Sequence, residues 1–193
     1  MPITVPLFPL HTVLFPDGVL PLRIFEPRYL DMVSDCLRHD TGIGVVLIKE
    51  GTETGKAADS YDTGTLSGIS YWHKRADGIL GVTLKGKQRF RILSRTVQKN
   101  QLVMAEVEML PEIKTSELPA GYEHLVLLLQ QIISQLEPPF TTMDTRYDCA
   151  EWVGARLVEL LPLQLKDKQA LLKMDDCLQR FERIEDLLSK MDF

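Results

Sequence analysis

The hydrophobic pattern of this chain changes character near residue 112. Before it, apolar residues come in short runs bounded by proline, glycine and Asp-Gly signals. After it, they recur at every third or fourth position. Residues 4–29 carry prolines at 6, 9, 16, 21 and 27. Each proline lacks a backbone donor and clashes one turn back, so this segment cannot be a helix. The missing donors also argue against central strands, so the prediction is a set of short edge strands with Pro16-Asp17-Gly18 as a turn. Glu26-Pro27 opens a helix, proline being suited to the first helical position. Leu30, Met32, Val33, Cys36 and Leu37 mark its apolar face, and it ends near residues 39–42. Ile43 to Ile48 reads as a buried strand, and residues 51–63 as a mobile polar loop. Thr65 to Lys74 and Ile79 to Leu84 flank Asp77-Gly78, a hairpin signal. Arg89 to Val97 and Leu102 to Leu110 form a second strand pair across Asn100. Residues 1–112 are therefore expected to be a barrel-like unit of about six short strands.

Residues 118–193 are expected to be helical, after a polar linker over residues 111–119. Tyr122, Leu125, Leu129, Ile132 and Leu136 make one stripe, which Pro138-Pro139 stops. Thr145-Arg-Tyr-Asp148 has the form of a capping box, ahead of a face made by Cys149, Val153, Leu157 and Leu160. A short helix follows around Lys168 to Met174. Leu178, Phe181, Ile184, Leu187 and Leu188 define the last one.

Several of these segments also carry a family resemblance. Pro-Leu-Phe-Pro-Leu, Val-Leu-Phe-Pro, Leu-Pro-Leu, Ile-Phe and Glu-Pro-Arg-Tyr, all within residues 6–29, resemble the opening of the Lon N-terminal domain in its small stand-alone form. Gly64-Thr65, Asp77-Gly78 and Gly86-Lys-Gln-Arg-Phe-Arg-Ile92 are similar to its later strands. Leu161-Pro162-Leu163, Lys168-Gln169, Leu171-Leu172 and Arg180 are similar to its closing helices. Two places depart from the pattern. Gly42-Ile43-Gly44-Val45 stands where relatives often carry Phe-Gly-Val, and Gln164-Leu165 where a Ser-Pro helix start is expected. The resemblance implies an α+β fold, a PUA-like β-barrel with a C-terminal helical bundle. It also implies a substrate-engaging role without the ATPase and peptidase domains of the Lon proteases.

Composition narrows the class. Hydrophobic residues make up 45% of the 193 positions, enough for a folded core. No apolar stretch reaches the ~18 residues needed to span a bilayer, and Met-Pro-Ile-Thr-Val-Pro has no signal-peptide pattern. Cys36, Cys149 and Cys177 are widely spaced, which argues against a disulfide framework or a zinc site. The expected location is the cytoplasm, without a membrane partner. Residues 1–112 hold 13 basic and 13 acidic side chains, and residues 113–193 hold 9 and 14. The acidic balance of the second part argues against its gripping nucleic acid.

No enzyme chemistry emerges, and no cofactor or metal is implied. Gly81 to Lys87 formally fits G-x-x-x-x-G-K. Gln88 follows, however, so the hydroxyl that would hold magnesium is missing, and the interior residues are strand formers. Ser189-Lys190 are adjacent on a helix and cannot face each other. His11, His39, His73 and His124 are scattered singly, unlike metal ligands.

Two binding surfaces are candidates. Phe25, Glu26, Arg28 and Tyr29 either rim a groove between barrel and helix that receives a peptide, or form a local ion pair with the tyrosine packed on the barrel. Lys85, Lys87, Arg89 and Arg91 alternate on a strand and would share one face. That face is either merely solvated or contacts an anionic partner, nucleic acid or acidic polypeptide. The expected function is non-catalytic binding of unfolded or apolar polypeptide segments, with a separate protease as a further candidate partner. The alternative is an RNA-binding module using the basic strand.

Overall fold

Paired backbone accounts for most of the first half of the chain. The computed structural model describes residues 2–191. The chain divides into two compact units, one ending at Pro111 and the other beginning at Glu112. The first contains β1 (Ile3–Leu10), β2 (Val19–Ile24), α1 (Pro27–His39), β3 (Ile43–Glu50), β4 (Asp59–Lys74), β5 (Leu80–Val97) and β6 (Val103–Met109). The second contains α2 (Glu123–Ser134), α3 (Ala150–Leu160), α4 (Leu165–Lys173) and α5 (Cys177–Ser189). No described helix is long and apolar enough to cross a membrane.

The strands form one six-stranded sheet in the order β2-β5-β4-β3-β1-β6, and β5 also pairs with β6. The sheet is thus rolled, with β2 left at a free margin on β5. The fold is α+β and the strand number is as expected, but two strands are long. Residues 80–97 are one continuous strand where two were expected. Residues 59–63 belong to β4, not to a loop. Buried polar residues explain the second difference: Ser60 and Thr63 lie in the sheet interior, as do Thr65 and Ser67 further along the same strand. The Thr65 hydroxyl donates to Leu14 O (2.6 Å) and that of Ser67 to Ile43 O (2.9 Å). Satisfied hydroxyls can be buried at little cost, and they erase the apolar alternation that marks a strand.

The proline argument needs a similar correction. β2 is an edge strand, as Pro21 suggests, but β1 lies between β3 and β6 despite Pro6 and Pro9. Its pairing is staggered: Ile3 to Pro6 pair with β6, and Leu7 to Leu10 pair in parallel with β3. Each half is locally an edge, so a proline can turn its donorless nitrogen to the unpaired side. The turns follow the sequence closely. Gly18 N–H donates to Phe15 O (3.1 Å), and Gly78, at φ +82°, closes onto Arg75 O (3.1 Å).

Two apolar clusters fill this unit. One lies between α1 and the sheet, where Tyr29, Met32, Val33 and Cys36 meet Phe8, Ile24, Val82 and Leu84. That spacing is the amphipathic stripe of α1. Pro27 starts the helix, and Asp40, in the left-handed region at φ 51°, ends it. The other cluster, inside the roll, centres on the fully buried Phe90. An added Cβ at Gly44 or Gly64 would stand 3.0 or 2.8 Å from that ring, so both glycines provide its seat.

In the second unit α3 packs against α2, α4 and α5. Every residue from Ala150 to Val158 except Glu151 is buried, as expected for a central helix. The capping box is absent: the α3 N-cap is Cys149, without a side-chain cap. The helix start is instead fixed by backbone pairing, with Leu118 N–H on Asp148 O and Ala150 N–H on Ser116 O. On α5 the expected stripe is altered, because Leu178 is exposed and Arg180 is buried. The Arg180 guanidinium donates to Met174 O (2.8 Å), and its side chain passes close over Gly154.

Candidate functional site

Where β2 hands over to α1, a buried ion pair borders a small apolar pocket. Glu26 occupies the N-cap but makes no capping bond with its side chain. Its carboxylate takes Arg28 instead, with Nε at 3.2 Å from Oε1 and Nη2 at 3.3 Å from Oε2. The Nε contact is an ion pair without hydrogen-bond alignment. Glu26 Oε1 also accepts the Gly55 N–H (3.1 Å). Arg28 is only 4% exposed. Its Nη1 donates to Gln101 O (2.8 Å), its Nη2 reaches Glu53 O (3.4 Å), and its guanidinium lies 4.6 Å from the centre of the Tyr29 ring. A desolvated charge needs such partners on every side.

Tyr29 packs on Phe8 with ring centres 4.4 Å apart. Burial raises the pKa of its hydroxyl; the Arg28 charge opposes this, and Glu26 and Glu53 add to it. Arg28 thus pairs locally and Tyr29 packs on the sheet. Phe25 differs from both, with 62% of its surface exposed. It borders a pocket of about 70 Å³ lined by Phe8, Leu10, Leu22, Ile24 and Tyr29, with Glu26, Glu53 and Thr54 at its rim. Four consecutive-looking site residues thus split into an exposed aromatic, a half-buried acid, and two buried side chains.

Sequence reasoning did not reach the partners of this site. Glu53 Oε1 accepts the His11 N–H (2.7 Å), and Gln101 Oε1 accepts the Ala57 N–H (3.3 Å). Gln101 itself sits at φ +70° in the β5–β6 turn. No spacing links residues 11, 26, 53 and 101. Only the fold brings them together.

The expected basic row is broken. Lys85 and Lys87 are exposed, but Arg89 is 3% exposed. The chain leaving β6 crosses Arg89: Leu110 N–H donates to Arg89 O, and Arg89 Nη2 lies 3.4 Å from Pro111 O. Arg91 faces Glu108 across the strand pair and bonds it at 2.6 Å. The two lysines line a cleft of about 370 Å³ at the C-terminal end of α1, together with Asp17 and Asp40. The cleft therefore mixes both signs of charge. Gly81 to Lys87 runs as strand throughout, without a phosphate-binding turn.

The family described as the ATP-dependent protease La (LON) substrate-binding domain matches residues 4–190. Lon protease 2 of Myxococcus xanthus is 28% identical over 98% of this chain. The Lon protease of Koribacter versatilis is 32% identical over 97% of it. In both cases the chain spans 24% of the relative's length. Among solved structures, a Lon N-terminal domain protein from Xanthomonas campestris is 36% identical, with a TM-score of 0.75, and the match covers 98% of this chain and 99% of that one. The N-terminal domain of a Mycobacterium avium complex Lon protease shares the fold at 16% identity and a TM-score of 0.65, over 98% of this chain and all of that one.

Proposed function

Because the chain belongs to the family of LON substrate-binding domains, we propose that it is a non-catalytic module that holds apolar segments of unfolded polypeptide. Any cleavage or ATP-driven step is supplied by protein outside these 193 residues, a separate protease being the natural partner. The observation that carries this reading is the exposed Phe25 beside the apolar pocket of Phe8, Leu10, Leu22, Ile24 and Tyr29. An aromatic ring held in water at a pocket mouth has apolar area to bury on a partner, at about 25 cal/mol per Å². Its lining, apolar with a few fixed polar groups, has the chemistry usual for a binding site.

The RNA alternative draws less support. Nucleic-acid affinity depends on unneutralised cations along a surface. Here Arg89 is buried, Arg91 is paired with Glu108, and Asp17 and Asp40 share the cleft of Lys85 and Lys87.

The test titrates a fluorescent unfolded peptide rich in Phe and Leu, and a single-stranded RNA, at two salt concentrations. The peptide should bind with little salt dependence, and Phe25→Ser should weaken it several-fold. Steep salt-dependent RNA binding, lost in Lys85→Gln/Lys87→Gln, with no peptide binding, would overturn the proposal in favour of the alternative.

A further inference from the structure

The pocket beside Phe25 owes one wall to a distant part of the chain. Residues 51–58 leave β3 and return to β4, and on the way Glu53 and Thr54 close over Phe8, Leu22 and Tyr29. The way this wall is held is unusual for a packed loop. Residues 51–56 are all exposed and carry no large apolar side chain. The described bonds that tie it to the rest of the unit are polar, and one of them is Arg28 Nη2 on Glu53 O (3.4 Å). Gly55 N–H donates to Glu26, Ala57 N–H to Gln101, and Glu53 accepts from the His11 N–H with the His11 ring 3.4 Å away. Hydrogen bonds near water contribute little net, since water replaces them on opening. Gly51 (φ +113°) and Gly55 (φ +82°) supply backbone freedom within the same segment.

The pocket is also small for what lines it. Its volume is about 70 Å³. An apolar cavity that admits benzene has roughly 150 Å³. Aromatic and aliphatic walls around a space that holds no aromatic ring make sense if one wall moves.

We propose that residues 51–58 are a lid, latched by Glu26, Glu53 and Gln101, and that its opening converts this pocket into a seat for one aromatic or large aliphatic side chain of a bound polypeptide. This rests on the polypeptide-binding reading for its biological ligand, but not for its physical test. Opening gives up polar bonds and the cover over the Tyr29–Phe8 wall, which a bound side chain buries again, while the Ala57 packing anchors the end of the segment. The apparent affinity is then set by the open fraction, so weakening the latch tightens binding.

The experiment uses the full chain and two probes. Indole stands in for the side chain. A labelled Gly-Ser peptide carrying one Trp stands in for the polypeptide. Glu53→Ala removes one latch. Gln101→Gly removes another and relieves its positive φ, so it remains informative if the first variant folds poorly. Each should bind indole about 3- to 10-fold more tightly than the parent chain. In the parent chain, saturating indole should speed hydrogen exchange at the Gly55 and Ala57 amides, the donors of the latch. Indole affinity unchanged within about twofold in both variants, exchange at Gly55 and Ala57 unaffected by indole, or no indole binding by any form, would each overturn the lid. If indole behaves as expected and the peptide does not bind, the lid stands and the polypeptide reading fails. If the peptide binds and the indole results are negative, the reading stands and the lid fails.

Discussion

Buried arginines do different work in the two units. In the first, Arg28 ties together residues far apart in sequence, bonding Gln101 O and Glu53 O from the start of α1. In the second, Arg156 pairs with Glu159 one turn along the same helix, and Arg180 bonds Met174 O just ahead of its own. The first arrangement fixes the relative positions of loops around a pocket. The second props helices whose interior is already filled by Trp152, Val153, Leu157 and Phe181. A charge removed from water demands partners in either place, and for Arg28 those partners come from loops that border a cavity.

The largest expected effect lies in the helical unit. Arg156→Ala removes the ion pair with Glu159, whose side chain is only 12% exposed, and should cost about 3–5 kcal/mol of stability. Trp152, with Arg156 5.8 Å from its ring, and Trp72 place one fluorescent reporter in each unit. The urea midpoint read at Trp152 should fall. A shift below about 1 kcal/mol would show that Arg156 is no strut at all. Arg28→Ala comes next, at about 1.5–3 kcal/mol for a lost charged hydrogen bond. Its signature is local: exchange should quicken at the amides of residues 53–57 and 101–102. Uniform loosening across α1 instead would mean that Arg28 supports the helix and not the loops.

A smaller effect should appear in alkali. Burial raises the pKa of the Tyr29 phenol and of the Cys36 and Cys177 thiols. As pH climbs past roughly 8.5 for thiols and 10 for the phenol, the unfolded chain loses these protons first. The folded state then holds more protons, so stability must fall over that range. Cys36→Ala and Cys177→Ala should each flatten the decline. An unchanged slope in both would assign the effect elsewhere. The smallest change belongs to Phe25→Ser, which should leave stability within about 0.5 kcal/mol while weakening peptide binding. A larger loss would make Phe25 a packing residue.

Much of this fold can be read from local chemistry. Pro27 marks the start of α1, and Asp77-Gly78 marks the hairpin, because each acts through its own backbone. What escaped detection depends on neighbours distant in sequence. Ser60 and Thr63 look like loop residues until the sheet buries them. Leu178 and Arg180 fit the helical period equally well, and only the space over Gly154 decides which goes inside. The site divides the same way. Glu26, Arg28 and Tyr29 are legible as a cluster because they are contiguous. Arg89 and Arg91 mislead because alternation predicts a face but not what crosses it. Glu53 and Gln101 carry no signal of their own.

The split pairing of β1 has a consequence for synthesis. Its first half pairs with β6, about a hundred residues later in the chain, and its second half with β3. At roughly 5–20 residues per second, Ile3 to Pro6 must wait about 5–20 seconds for a partner. During that interval β3 can capture Leu7 to Leu10, while the apolar Ile3 and Val5 stay unclaimed. Pro6, which cannot donate to a neighbouring chain, sits beside them as a built-in guard against premature pairing.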